Sequence, residues 1–244
     1  MDHAFANILL TGPCNLRCPD CIGHFVRGPR ASTLDTFPLP GWQPFLDRLR
    51  DRKIHKVCVT GVDTEPMLFH HTERLVTHLR QSTPNVDVSV HTNATLVLSH
   101  LPTFHLYDRA TLSFPSRVTA TYQKMTGSSR VPDIATIFER SRIPIKVSIL
   151  MSEHNRMEIP SLLSFLRNLG CRRVTLRRRY GDPEPCSPLP GLHPVRHFGG
   201  NPVFLLDGLE VTVWDFERTR LPCLQLFPDG SVRDGYLITE AADA

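Results

Sequence analysis

The chain has 244 residues, 41% of them hydrophobic and 21% charged, with a formal net charge of +4 and a pI of about 8.8. That length suits one large domain with a full core, and the composition is that of a globular protein in water. No apolar run approaches the ~20 residues of a membrane span, and no basic face interleaved with aromatics stands out. Neither a membrane nor a nucleic-acid partner is therefore expected, while the mild positive charge admits an anionic substrate.

The opening stretch, MDHAFANILLTG, lacks the basic region and small-residue cleavage site of a secretory signal. It reads as a first strand over 5–11. Seven cysteines, an odd number, speak against a disulfide framework and fit a cytoplasmic protein that ligates a metal or cluster. Three of them, Cys14, Cys18 and Cys21, stand in CNLRCPDC directly after that strand. Three thiolates leave a tetrahedral zinc site one ligand short; they also suit three irons of a cubane 4Fe–4S cluster, with the fourth iron open. Spacing alone leaves both possibilities standing.

Further β-rich runs follow at 56–61, 86–93, 109–115, 143–151 and 172–181, with helical stretches at 41–52, 71–82, 118–125, 132–142 and 159–170 between them. Phe45, Leu46 and Leu49 share one helix face, as do Leu75, Val76 and Leu79, and Leu162, Leu163 and Leu166; such stripes pack on a core. Gly170 stands where a helix C-terminus needs it. Strands separated by helices pair in parallel through right-handed crossovers. The expected fold is thus α/β: an open, partial barrel of six β/α units over residues 1–181.

Along the strands, apolar residues at Val57, Val59, Val86, Val88, Val90, Leu112, Phe114, Ile145, Val147 and Ile149 alternate with polar ones. The intervening positions are Cys58, Thr60, Ser89, His91, Asn93, Thr111, Ser113, Lys146 and Ser148. Parallel strands buried on both faces would be apolar throughout, so one face is expected to line a wet cavity. After residue 181 the texture changes to a Pro-rich traverse and two alternating segments, each with an Asp-Gly turn. These signal β-hairpins, and residues 182–244 are expected as a short antiparallel extension packed on the barrel.

The motif Cys14-x3-Cys18-x2-Cys21, at the mouth where β/α barrels keep their chemistry, resembles the cluster signature of the radical S-adenosylmethionine (radical SAM) superfamily. Its style is nearest to the molybdopterin-biosynthesis and peptide-modifying branch. The resemblance implies a 4Fe–4S cluster on the three cysteines as the catalytic centre, with S-adenosylmethionine (SAM) bound at the open iron. It also implies reductive cleavage of SAM to a 5′-deoxyadenosyl radical, fed by an electron donor such as flavodoxin or ferredoxin. VTGVDTEPML at 59–68 is similar to the family's Gly-Gly-Glu-Pro segment, expanded by two residues. This implies that Gly61 lies at the cofactor and that Asp63 or Glu65 takes the SAM ammonium. Acidic N-capping of the turn would also account for a carboxylate there, but with the cysteines in place the ligand role is preferred.

HTNAT at 91–95 resembles the family's Thr-Asn-Gly segment, placing Asn93 at the mouth with Ala94 where glycine is usual. Ser113 in LSFPS resembles the fourth-strand serine that bonds the SAM ribose or carboxylate, and Ile149 and Met151 are in the region that often flanks the adenine. Asp20 stands before the third cysteine, where an aromatic residue is common.

RRVTLRRRYG at 172–181 holds five arginines in ten residues. Alternation with Val174 and Leu176 turns Arg177 and Arg179 inward, and guanidinium forks suit carboxylate or phosphate. Arg177 is expected on the SAM carboxylate. Arg179, with His91 and Lys146, is expected on a substrate, either a small anionic metabolite or a short peptide. Alternatively, this strand is the barrel's open edge and its charges, Arg178 above all, deter edge pairing. Cys58, Cys171, Cys186 and Cys223 show no close pairing, so no auxiliary cluster is expected. The rival to the enzyme is a non-catalytic zinc or iron–sulfur protein using the cysteine loop for structure or regulation.

Overall fold

The computed structural model describes residues 5–26, 31–182, 189 and 191–238. Six strands run parallel in chain order: β1 (Phe5–Leu10), β2 (Lys56–Gly61), β3 (Asp87–Thr92), β4 (Arg109–Ser113), β5 (Ile145–Leu150) and β6 (Arg173–Arg177). Helices α1 (Trp42–Asp51), α2 (Thr72–Ser82), α3 (Leu101–Phe104), α4 (Thr119–Thr126), α5 (Ile134–Arg140) and α6 (Ile159–Asn168) connect them. The chain thus builds the expected open partial barrel. Each expected leucine-rich stripe is buried, and Gly170 takes a left-handed φ of +83° just beyond α6. The single-turn α3 carries too few residues for a periodic signal.

The alternation of the strands sorts their side chains into two layers. Val57, Val59, Val88, Val90, Leu112, Val147, Ile149, Val174 and Leu176 join the helices in one hydrophobic core. Ile149 and Met151 both belong to this core. The opposite face carries aligned polar rungs. His91 pairs in register with Thr111 and Thr111 with Lys146; one level nearer the mouth, Ser113 pairs with Ser148, Ser148 with Thr175, and Thr175 with Thr212.

The C-terminal strands are β7 (Arg196–Phe198), β8 (Asn201–Leu206), β9 (Leu209–Trp214), β10 (Cys223–Leu226) and β11 (Val232–Asp234). Both Asp-Gly turns close hairpins. Asp207 and Gly208 have φ of +46° and +84°, the doubly left-handed turn that suits strand twist. Gly230, φ +88°, turns β10 into β11. The segment 182–244 was expected to pack on the barrel, but its strands continue the barrel's own sheet at both edges. The order is β11–β10–β1–β2–β3–β4–β5–β6–β9–β8–β7, with β10 parallel to β1 and β9 parallel to β6. Strand β6 is therefore interior, and edge protection does not explain its arginines. Cys186 lies outside the described residues, and Cys58, Cys171 and Cys223 are buried. Among the described residues no helix is long and apolar enough to cross a membrane.

Candidate active site at the mouth of the barrel

Parallel strands bring the loops that follow them to one end of the sheet. There the cysteine loop after β1 is held on three sides. Toward α4, the Arg17 N–H donates to the Thr126 carbonyl at 2.9 Å. Gly127, φ +73°, lets the Arg17 backbone approach; a Cβ there would come within 3.0 Å of its carbonyl oxygen. Toward β2, the Thr64 hydroxyl donates to the Pro13 carbonyl at 2.6 Å, and Gly23 lies so close to Val62 and Asp63 that any side chain would clash. Toward β3, the Asn93 side-chain amide donates to Asn15 Oδ1 at 2.8 Å, and Asn15 donates to the Thr95 hydroxyl at 2.7 Å. These contacts brace the loop on three sides.

Within it, Cys14 is exposed while Cys18 and Cys21 are half-buried. Burial raises the Cys14 thiol and pushes Cys18 up to about 12, with the neighbouring cysteine sulfurs adding repulsion. Three soft sulfur donors that repel one another as thiolates need a cationic centre, and an iron–sulfur cluster is one. Three thiols from one loop suit the three-cysteine cradle of such a cluster.

The two candidate carboxylates differ sharply. Glu65 is only 2% exposed and accepts from the Thr92 hydroxyl at 2.5 Å, the Asn93 N–H at 2.7 Å and the Met67 N–H at 3.1 Å. It caps the short turn after β2 and ties it to β3. Burial pushes its carboxyl up to about 6 against those hydrogen bonds. Asp63 is half-buried at the rim, where Oδ1 accepts from the Thr11 hydroxyl at 2.6 Å and more distantly from the Gly12 N–H. Gly61 permits this arrangement: a Cβ there would lie 1.9 Å from the Thr64 carbonyl oxygen. Ala94 keeps the backbone of the glycine it stands for, with φ +69°.

Deeper in the cavity, Ser113 presents a hydroxyl with no hydrogen bond to the described residues. Arg177 lies on the same face, its guanidinium near the Phe216 ring (5.9 Å) and its buried Nε without a hydrogen-bond partner among the described residues. Burial lowers its pKa. Arg179 does not share that fate. β6 stops at Arg177, so the alternation that pointed Arg179 inward ends with the strand. Its side chain is half-exposed at the rim, 3.5 Å from Asp20. Asp20 therefore links the cysteine loop to the end of β6. Arg178 is nearly buried and paired with Asp215, two residues past the core position Val213.

Lys146 and His91 lie on the polar face, in register with Thr111 between them and one level further from the mouth than Ser113. Burial, then the charges of Lys146 and Arg177, hold the His91 imidazolium down to about 3; burial lowers the Lys146 ammonium to about 8. Sequence reasoning missed the aromatic wall beside Arg177. Trp214 and Tyr236 meet edge-on at 5.7 Å, and Phe216 stacks on Tyr236 at 5.9 Å. Its one local signal is the alternation of Val211 and Val213 with Thr212 and Trp214.

No protein-family model and no curated protein matches this sequence. Solved structures do match in fold. SuiB of Streptococcus suis bound to S-adenosylmethionine superposes with a TM-score of 0.57 at 16% identity, covering 74% of this chain and 42% of SuiB. SuiB bound to its precursor peptide SuiA gives 0.55 at 17% identity, covering 72% of this chain and 39% of that one. Native anSMEcpe with bound AdoMet and the Cp18Cys peptide gives 0.52 at 13%, covering 72% and 51%. This chain thus spans about two fifths to one half of their length and shares their fold.

Proposed function

We propose that the protein is a radical SAM enzyme of the cytoplasm, holding a 4Fe–4S cluster on Cys14, Cys18 and Cys21. The observation that carries this reading is the three-thiol loop, braced at the mouth of an open parallel barrel whose inner face is polar. When bound, the cluster supplies the electron that splits the SAM sulfonium to methionine and a 5′-deoxyadenosyl radical, which abstracts hydrogen from a substrate. A non-catalytic metal protein has no use for such an inner face, which favours the enzyme.

The chain's own residues divide the remaining work. Asp63 receives the SAM ammonium through a charge-assisted hydrogen bond, since Glu65 is buried and engaged by three donors of its own. Glu65 instead fixes the relative position of the loops carrying Gly61 and Asn93. Arg177 pairs with the SAM carboxylate, and Ser113 and Asn93 offer hydrogen bonds to the ribose. Arg179, held by Asp20, steadies the cysteine loop at the rim and is at most a gatepost for substrate. The aromatic wall of Trp214, Phe216 and Tyr236 keeps water away from Arg177. Electrons come from a donor such as flavodoxin or ferredoxin.

The test is anaerobic purification. The protein should be brown, with about four irons and four sulfides per chain, and should cleave SAM to 5′-deoxyadenosine once reduced. Replacing the three cysteines with alanine should remove both. Stoichiometric zinc without sulfide in the native protein would restore the structural reading.

A further inference from the structure

The polar face of the barrel carries more positive charge than SAM can use. Arg177, near the mouth, feels the sulfurs of Cys21 and Cys18. It is the cation placed for the carboxylate of SAM. Lys146 lies lower, level with Thr111 and His91 across the sheet, and makes no hydrogen bond or ion pair to any described residue. The acids near it are otherwise occupied. Glu210, on β9, accepts a salt bridge from Arg196 at 2.7 Å, and Asp87, at the foot of β3, pairs with Arg109. The other groups facing it are cationic or neutral: Arg177 and Arg173 from β6, His91 from β3 and the Cys58 thiol from β2. A half-buried cation with no hydrogen bond or ion pair to a described residue is unfavourable, so this floor is built for a ligand.

Directly above that floor lies a rung of four hydroxyls, Ser113, Ser148, Thr175 and Thr212, from four adjacent strands. None of them hydrogen-bonds to a described residue, and none of their oxygens is sealed from solvent. They offer donors and acceptors, not an apolar wall. The geometry points to a substrate that carries an oxyanion, a carboxylate or a phosphate, seated on Lys146 and His91 with a polar body running up the hydroxyl rung toward the cysteine loop. A neutral imidazole donates one hydrogen bond to such a group without adding a second charge. This inference rests on the radical SAM reading and names the substrate class for it.

Lysine acetylation followed by mass spectrometry tests it on the cluster-loaded chain, with SAM present to occupy Arg177. The sequence has only three other lysines, Lys53, Lys56 and Lys124, all exposed, and they serve as internal references. Inorganic phosphate or acetate, against chloride at equal ionic strength, should slow acetylation of Lys146 several-fold and leave the references unchanged. Protection by phosphate but not acetate identifies a phosphate group, and the reverse a carboxylate. Phosphate or acetate should also raise the melting temperature of the wild type and of Lys146→Arg, but not of Lys146→Gln. If neither anion protects Lys146 in a protein that still cleaves SAM, the oxyanion floor is wrong and the enzyme reading stands. If Lys146 is protected but no cluster assembles and SAM is not cleaved, the enzyme reading falls and an anion site remains.

Discussion

The backbone N–H of Asn93 donates to Oε2 of Glu65 at 2.7 Å, so the end of β3 hangs on a buried carboxylate from the loop after β2. That bond sets the spacing between the two loops nearest the cysteines. It also makes the site sensitive to pH. Burial lifts the Glu65 carboxyl from 4.5 to about 6. A carboxyl with a raised folded pKa binds its proton more tightly in the folded state. Its contribution is therefore most favourable below pH 4.5 and declines as pH rises through about 6. Wild-type stability relative to Glu65→Gln should fall by ~2 kcal/mol across that window and level off above it. Paired denaturant melts at each pH would show this; a constant difference would mean the carboxyl is unshifted.

Ala94 holds a left-handed backbone, φ +69°, that costs an L-residue about 1–2 kcal/mol. It is 2% exposed, so no solvent contact offsets that cost. Ala94→Gly should relieve it, less the ~0.5–1 kcal/mol of chain entropy that glycine loses on folding. The expected net gain is about 0.5–1 kcal/mol, measurable as a higher urea midpoint with an unchanged slope. A loss of stability would show that the alanine methyl contributes more packing than its backbone costs.

Arg178 and Arg179 are neighbours in sequence with opposite fates. Arg178 pairs with Asp215, both side chains nearly buried at 13% and 12% exposure, whereas Arg179 reaches Asp20 from a half-exposed position. Removing Arg178 leaves Asp215 with the exposed Arg218 at 3.5 Å and two backbone N–H donors, so Arg178→Ala should cost about 1.5–3 kcal/mol, the range for a hydrogen bond to a charged group. Arg179→Ala breaks a surface pair and should cost less than about 1 kcal/mol. Equal effects in thermal melts would contradict the placement of β9 beside β6.

Period carried most of the fold. Leucines at helical spacing and valines at strand spacing determined which faces met the core, and the cysteine motif was legible because its three ligands are contiguous. Arg179 was misplaced because alternation says nothing about where a strand stops. The joining of β9 and β10 to opposite edges was invisible for a related reason. An Asp-Gly turn reports its own hairpin, but the choice of a sheet partner is made by residues far away in the chain. The role of Glu65 as a clamp also needed three dimensions, since its donors Thr92 and Asn93 are 27 and 28 residues distant.

Asp63 and Glu65 are separated by one residue yet should respond differently to neutral substitution. Asp63→Asn removes the charge offered to the SAM ammonium while keeping an acceptor for Thr11, which bonds Oδ1 at 2.6 Å. SAM affinity should fall by about 1.5–3 kcal/mol, the range for a hydrogen bond to a charged group. Thermal stability without SAM should change little. Calorimetric titration of SAM reads the first effect and a melt the second. Unchanged affinity in Asp63→Asn would return the ammonium to Glu65 or to the backbone.

Arg177 makes the opposing demands of stability and function measurable. Among the described residues its buried Nε has no partner, and its contact with the Phe216 ring at 5.9 Å is a modest compensation. Methionine has a similar length and no charge, so Arg177→Met removes an unsatisfied donor and a desolvated cation from the ligand-free protein. The variant should be about 1 kcal/mol more stable than wild type, the lower part of the penalty for an unmade buried hydrogen bond. The same change should weaken SAM binding, because the carboxylate then enters the cavity without a counter-charge. Stability gained where ligand affinity is lost is the mark of a group kept for binding. Melts with and without SAM separate the two effects: the order of stability should invert when SAM is present. A variant that is less stable in both conditions would show that Arg177 holds the fold and leave the SAM carboxylate to another cation.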